Sequence, residues 1–384
     1  MGVFVPAGEC AAMSGNRNAE MLVFLDEAGW QDAELVPLRG DASTRRYYRA
    51  LRNGRSAMVM DQPQRAESPA CPPAASPEQR LALGYNALAR LAGANCTRFI
   101  AAANYLRGRG LAAPEVYAAD VAQGFVLLED FGDDLYADTL GSGGDQVALY
   151  SAATDAIARL HKDAAPHLIG EDTPFYDYDL HAQLAEVDLM TEWFVPLALG
   201  RSAAPDEVLE HRALWQEVLA AILPRDRVFV HRDYHAQNLF WLPERHGLAR
   251  VGMIDFQDAL AGNRSYDLVS LLEDARRDVP PELARAMLDR YLATVNADGN
   301  LVDEEAFSAE AAVTAAQRNT KIAGIFARLA NRDGKHRYLS FVPRVWSYLE
   351  RDLSHPALAR LRVWYDRVIP IETRCGAEIA GALA

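Results

Sequence analysis

The first third of the chain carries its apolar and aromatic positions in short runs. "AELVPL", "RRYYRAL" and "SAMVMDQ" are separated by the turn-forming stretches "RGDAS" and "RNGR", a pattern that predicts an antiparallel meander. Ahead of it, "NAEMLVFLDEAGW" predicts an amphipathic helix from near Asn18, and the small, aperiodic residues 1–17 predict a loose tail. "PQRAESPACPPAASP" reads as an exposed loop. Helices are expected over 77–93 and 95–109, then strands at "PEVYAAD" and "GFVLLED". After Gly132 the apolar period lengthens. Helical patterns dominate at 145–163, 178–198, 204–222, 281–295, 304–330, 338–352 and 355–366. Only "RVFVHRD", "NLFWLP" and "ARVGMID" interrupt them as strands. The expected fold is α+β and two-lobed: a tail at 1–17, a small antiparallel β lobe at 18–131 and a large helical lobe at 132–384.

Composition narrows the partners. The 384 residues carry a formal charge of -14. Such a chain gains nothing from counterion release on nucleic acid and is repelled by anionic membranes. Its four cysteines are scattered, without zinc spacing or a disulfide framework. No apolar run approaches the ~18–20 residues of a membrane span, and the N-terminus does not read as a secretory signal. The expectation is a cytoplasmic protein acting on a small molecule, with no protein partner evident.

The chemistry concentrates in "VHRDYHAQN". Phosphoryl transfer from ATP needs a carboxylate to orient the attacking hydroxyl and take its proton. It also needs oxygen ligands for magnesium, among them a second carboxylate. Asp233 and Asn238 lie five residues apart on one tight loop, and "VGMIDFQDAL" brings Asp255 to the end of the next strand. "RGDASTRRYYR" lies between two strands, where a phosphate-covering loop belongs; Gly40, Ala42, Ser43 and Thr44 are small enough for close backbone approach.

These motifs resemble the aminoglycoside phosphotransferase/choline kinase superfamily, of protein-kinase-like fold. "LRGDASTRRYYR", "VMDQP", "LLEDFGDDLY", "VHRDYHAQNLFWLP", "VGMIDFQDALAGNRSYDL" and "QRNTKIAGIFARLANRDGKHRYL" look most like the anomeric kinases of N-acetylmuramate and N-acetylglucosamine in bacterial cell-wall recycling. The resemblance runs from about residue 20 to 370. It implies that Asp233 is the catalytic base, that Asn238 and Asp255 bind Mg2+, and that His231 braces the loop. His235 stands where protein kinases commonly carry lysine, and either touches phosphate or substrate or packs. Asp267 supports the loop or caps the helix it begins.

In kinase order the literal Asp-Phe-Gly at 130–132 precedes the catalytic loop. It therefore falls at the hinge, where backbone groups near Glu129 and Phe131 meet the adenine edge, with Gly132 as swivel and Asp130 structural or solvent-facing. The third strand lacks the kinase lysine, so Arg45, Arg46 or Arg49 must supply a cation, with Arg46 pointing opposite to the other two. The segment after Asp255 is too short to dock a peptide, which favours a small acceptor. For an acidic amino sugar, Arg318 and Arg328 are candidate carboxylate partners and Trp193 a stacking surface. Two alternatives stay open: a kinase for an aminoglycoside- or choline-like cation, and a catalytically silent nucleotide-binding module.

Overall fold

The computed structural model describes residues 14–38, 45–63, 71–224, 227–297 and 302–374. Helix α1 (Ser14–Glu27) precedes strands β1 (Glu34–Pro37), β2 (Arg46–Arg52) and β3 (Arg55–Asp61). The β2–β3 hairpin turns on Asn53 (φ 50°) and Gly54 (φ 71°), the two left-handed positions that an Asn-Gly pair supplies in a tight hairpin. Strands β4 (Val116–Asp120) and β5 (Phe125–Glu129) complete an antiparallel sheet of order β1-β2-β3-β5-β4. Alternation gives the sheet two different faces. Ala57 and Val59 join Phe125 and Leu127 against α1, whereas Met58, Met60, Val126 and Leu128 face the core shared with the helices.

The expected helix at 77–93 is two short ones, α2 (Pro77–Leu83) and α3 (Tyr85–Leu88), because Gly84 adopts φ 94° between them. Helix α4 (Cys96–Gly108) follows. Beyond the sheet come α5 (Tyr136–Gly141), α6 (Gln146–Leu160) and α7 (Leu180–Leu189). A π-helical turn at Met190–Phe194 then interrupts the helix expected over 178–198 before α8 (Val195–Leu199). After α9 (Pro205–Ala221), four short strands build the floor between the lobes: β6 (Val228–Val230) pairs with β9 (Leu260–Gly262), and β7 (Leu239–Trp241) with β8 (Val251–Met253). Helices α10 (Ser265–Leu272), α11 (Pro281–Asn296), α12 (Glu304–Asp333), α13 (Val342–Asp352), α14 (Ala359–Val368) and α15 (Ile371–Arg374) complete the helical lobe. No described helix is long and apolar enough to cross a membrane.

Within this lobe, His211 on α9 is fully buried, and its Nε2 accepts a 3.0 Å hydrogen bond from Trp215 Nε1. Burial pushes its pKa down to about 3. Below the ordinary histidine value of about 6.5, the unfolded chain therefore binds a proton that the folded chain refuses. Stability falls as pH drops from about 6.5 toward 3, with His211 contributing up to ~1.4 kcal/mol per pH unit. His211→Gln should flatten that slope in urea unfolding measured between pH 4 and 7.

Candidate active site

Strand β6 ends in the loop His231–Asn238, which the helical lobe holds from behind. Asp267 accepts the backbone N–H groups of His231 (2.7 Å) and Arg232 (3.0 Å), and its side chain is wholly buried. It lies inside α10, which Arg264 precedes, so the carboxylate serves the loop and does not cap the helix. The His231 ring is buried edge-on against Tyr234 and Phe256, and neither ring nitrogen has a hydrogen-bond partner among the described residues. Its contribution to bracing is packing plus its backbone N–H. Arg232 (φ 76°) and Asp255 (φ 64°) both adopt the left-handed region, strain that the surrounding contacts must maintain.

The loop and the end of β8 converge. Asn238 Nδ2 donates to the Asp233 carbonyl at 3.0 Å and lies 3.5 Å from Asp255 Oδ2. The backbone N–H of Ile254 donates to the Asn238 carbonyl at 3.1 Å, tying the two segments together. Gln257 Nε2 donates to Asp255 Oδ1 at 2.8 Å. Carboxamide and carboxylate oxygens are the hard donors magnesium prefers, and two protein ligands suffice when phosphates and water supply the rest.

The two carboxylates are driven apart electrostatically. Burial works against the Asp233 anion, but the cation of Lys321, then His235 and Arg232, hold its pKa below the usual value. Confinement in the cleft and the Asp233 charge raise Asp255, although Arg45 and the Gln257 hydrogen bond oppose them. Asp255 is thus a carboxylate short of positive charge, as a cation ligand should be. His235 is buried, its pKa pushed down to about 4, and its Nε2 lies 3.4 Å from Asn238 Nδ2. Burial thus favours its neutral form.

At the nucleotide end, Gly40, Ala42, Ser43 and Thr44 lie outside the described residues. The residue that follows them is informative: Arg45 Nη1 is 3.5 Å from Asp255 Oδ1. Arg46 is exposed and, by strand alternation, projects with Tyr48 and Ala50 toward the α1 face, away from the cleft. Of the three candidate arginines, Arg45 is the one beside Asp255. Arg49, on the Arg45 side of the strand, reaches the hinge. Its Nε is 2.8 Å from Asp130 Oδ2, and its Nη2 donates to the Gly132 carbonyl (3.0 Å) and to Asp133 (2.7 Å). Asp130 also accepts the Gly132 N–H at 3.0 Å, so it is a structural carboxylate of the hinge.

Two of the polar groups of Glu129 are taken up within the protein. Its N–H donates to the Glu115 carbonyl (2.8 Å), and its carboxylate is held by Arg245. Phe131 keeps its backbone N–H and C=O unbonded among the described residues, while its ring packs edge-on with Phe240. A Cβ on Gly252 would stand 2.9 Å from that ring. Gly252→Ala should therefore displace Phe131 and raise KM for ATP about tenfold, the size of an overpacking penalty near 1.4 kcal/mol, with kcat less affected. A nucleotide titration at saturating acceptor checks this.

Two of the residues expected to meet the acceptor, Arg318 and Arg328, lie on α12. Arg318, Lys321 and Arg328 share one helix face at spacings of three and seven residues. Arg318 is buried and donates to the Glu273 carbonyl at 3.2 Å. Arg328 lies over the Tyr85 ring, 4.9 Å from its centroid. Trp193, on the π-helical turn, packs partly buried against the helical core. Lys321 was not singled out by sequence. Its Nζ lies 3.3 Å from Glu186 Oε1 and donates to Tyr266 OH at 3.1 Å. Glu186, wholly buried, also pairs with Arg232 and accepts from Tyr178 OH and from Gln317 Nε2 (2.9 Å). The one available signal was an acid inside the apolar helical run "HAQLAEVDLM".

A five-stranded lobe hinged to helices, with a carboxylate loop in the cleft, defines a kinase-like phosphotransferase. The sequence profile of the phosphotransferase enzyme family matches residues 34–300, and the chain belongs to that family. It is 45% identical over 368 residues to an N-acetylmuramate/N-acetylglucosamine kinase of Caulobacter vibrioides, covering 94% of this chain and 99% of that protein. A protein of the same description from Pseudomonas aeruginosa is 34% identical over 340 residues, covering 87% and 89%. Among solved structures, a microcompartment-associated aminopropanol kinase superposes with a TM-score of 0.57 at 15% identity, covering 90% of this chain and 99% of that one, a likeness of fold.

Proposed function

We propose that this enzyme transfers the γ-phosphoryl group of ATP to the anomeric hydroxyl of N-acetylmuramate, N-acetylglucosamine or both, giving the sugar 1-phosphate. The observation that carries the reading is near-full-length 45% identity to a kinase of that description. Asp233 orients the acceptor hydroxyl and takes its proton, and the backbone of Phe131 receives the adenine edge. Arg45 faces the phosphates in place of a third-strand lysine. Asn238 and Asp255 hold Mg2+, which when bound neutralises phosphate charge. The cationic face of α12 suits an acceptor bearing a carboxylate better than an aminoglycoside- or choline-like cation.

The test is an ADP-release screen of both sugars against polycationic acceptors, followed by product NMR. The expected product has its anomeric proton coupled to phosphorus. Phosphate on another carbon, or turnover of polycations alone, would overturn the reading.

A further inference from the structure

The transferring phosphoryl group spreads negative charge over its equatorial oxygens. In this site it must approach Asp233, itself an anion, in a chain of formal charge -14. The catalytic loop offers no cation to meet it. His235 is buried and turned to Asn238, with its Nε2 3.4 Å from Asn238 Nδ2. Arg232 is directed backward: its guanidinium is spent on Glu186, the Ala89 carbonyl (3.1 Å) and the Asp258 carbonyl (3.4 Å). Arg45 stands on the Asp255 side, and Arg318 bonds the Glu273 carbonyl.

We propose that Lys321 is a catalytic residue, supplying from α12 the positive charge that contacts the transferring phosphoryl group beside Asp233. Three observations converge on it. Lys321 Nζ and the Arg232 guanidinium share Glu186 Oε1, and Arg232 immediately precedes Asp233, which puts the lysine beside the catalytic loop. Its ammonium has three donors, and the two anchors at 3.3 and 3.1 Å leave one for a ligand. Its side chain is 12% exposed, whereas its anchor Glu186 is only 1% exposed, so the cation reaches accessible space from a buried base.

Glu186 lies between two cations, Arg232 and Lys321, and its single negative charge leaves the group with a net positive charge. The lysine is thereby held in place before substrate arrives, as electrostatic preorganisation requires. In the step it assists, the acceptor O–H bond breaks with its proton passing to Asp233. The new O–P bond forms, and the P–O bond to the departing ADP breaks. Lys321 makes its contact with the equatorial oxygens throughout.

The assignment rests on the phosphotransferase reading, and one set of assays separates the two. Lys321→Met should lower kcat about 100-fold, the size of a lost oxyanion donor, and equally for N-acetylmuramate and N-acetylglucosamine. KM for either sugar should stay within about threefold. Lys321→Arg should recover at least about tenfold of the loss. Affinity for ADP with magnesium and aluminium fluoride should fall tenfold or more, while affinity for ADP alone is unchanged. Glu186 keeps Arg232 as its partner in these variants. Lys321→Gln, which can still donate to Glu186, provides a second neutral variant should the methionine fail to fold.

A kcat within about threefold of wild type overturns the proposal. So does a loss confined to KM for N-acetylmuramate, which would make Lys321 the partner of the lactyl carboxylate. If wild type turns over neither sugar, the acceptor assignment falls, and the same kcat comparison with whichever acceptor is phosphorylated still decides the role of Lys321.

Discussion

Asp233→Asn should lower kcat by roughly 10³-fold, within the range of a lost general base, while leaving the melting temperature and KM for ATP close to wild type. The geometry makes the separation clean. The loop is positioned by backbone groups: Asp267 accepts the N–H groups of His231 and Arg232, and Asn238 donates to the Asp233 carbonyl. None of these contacts uses the Asp233 carboxylate, so the amide replacement inherits the loop unchanged. What it loses is the ability to take a proton from the acceptor hydroxyl. It also relieves Asp255 of a neighbouring anion that raises its pKa, so nucleotide affinity with magnesium should hold. An ADP-release assay alongside thermal unfolding reads both outcomes. Near-normal turnover would remove Asp233 from its role.

The largest stability effect should come from Glu186→Gln. The wild-type carboxylate is wholly buried between Arg232 and Lys321, with Tyr178 and Gln317 completing its hydrogen bonds. Neutralising it leaves the buried Arg232 and the half-buried Lys321 facing each other, and removing one partner of such an arrangement costs about 3–5 kcal/mol. Arg232 immediately precedes Asp233 and is held at φ 76°, so the loss should also disturb the catalytic loop and lower kcat. Urea midpoints measure the first effect and single-turnover rates the second. The double variant Glu186→Gln/Lys321→Met removes the surplus cation and should recover part of the stability but not the rate. Additive losses in the cycle would show that the two residues do not interact.

What was legible in the sequence was local. The Asn-Gly hairpin, the alternation of the third strand and the carboxylate spacing of the loop each reside in a few consecutive residues, and each reappears in the fold. Strand parity also foretold that Arg46 would point opposite to Arg45 and Arg49. It was silent on which face met the cleft, because that depends on where the helical lobe packs. Asp267 shows the same limit: its position suited a cap and a brace alike, and only the approach of α10 to the loop separates them.

Lys321 and Glu186 lie on different helices with no shared motif. Their pairing is a product of how α7 and α12 cross, which no short window of sequence records. The helix expected at 178–198 failed in a related way. Its apolar period continues through Met190–Phe194, yet one wider turn intervenes before α8.

Strand β2 has a further consequence. Arg45 at its approach meets Asp255, and Arg49, four residues on, grips the hinge at Asp130, Gly132 and Asp133. An extended segment of that length spans ~13 Å and does not stretch. The segment is therefore a ruler, fixing the distance between the Arg45–Asp255 contact and the backbone turn at Gly132. It is also a lever, because any rotation about Gly132 carries Arg45 with it. Lengthening it by one residue would fail twice over, moving Arg45 along the cleft and turning it to the opposite face of the sheet.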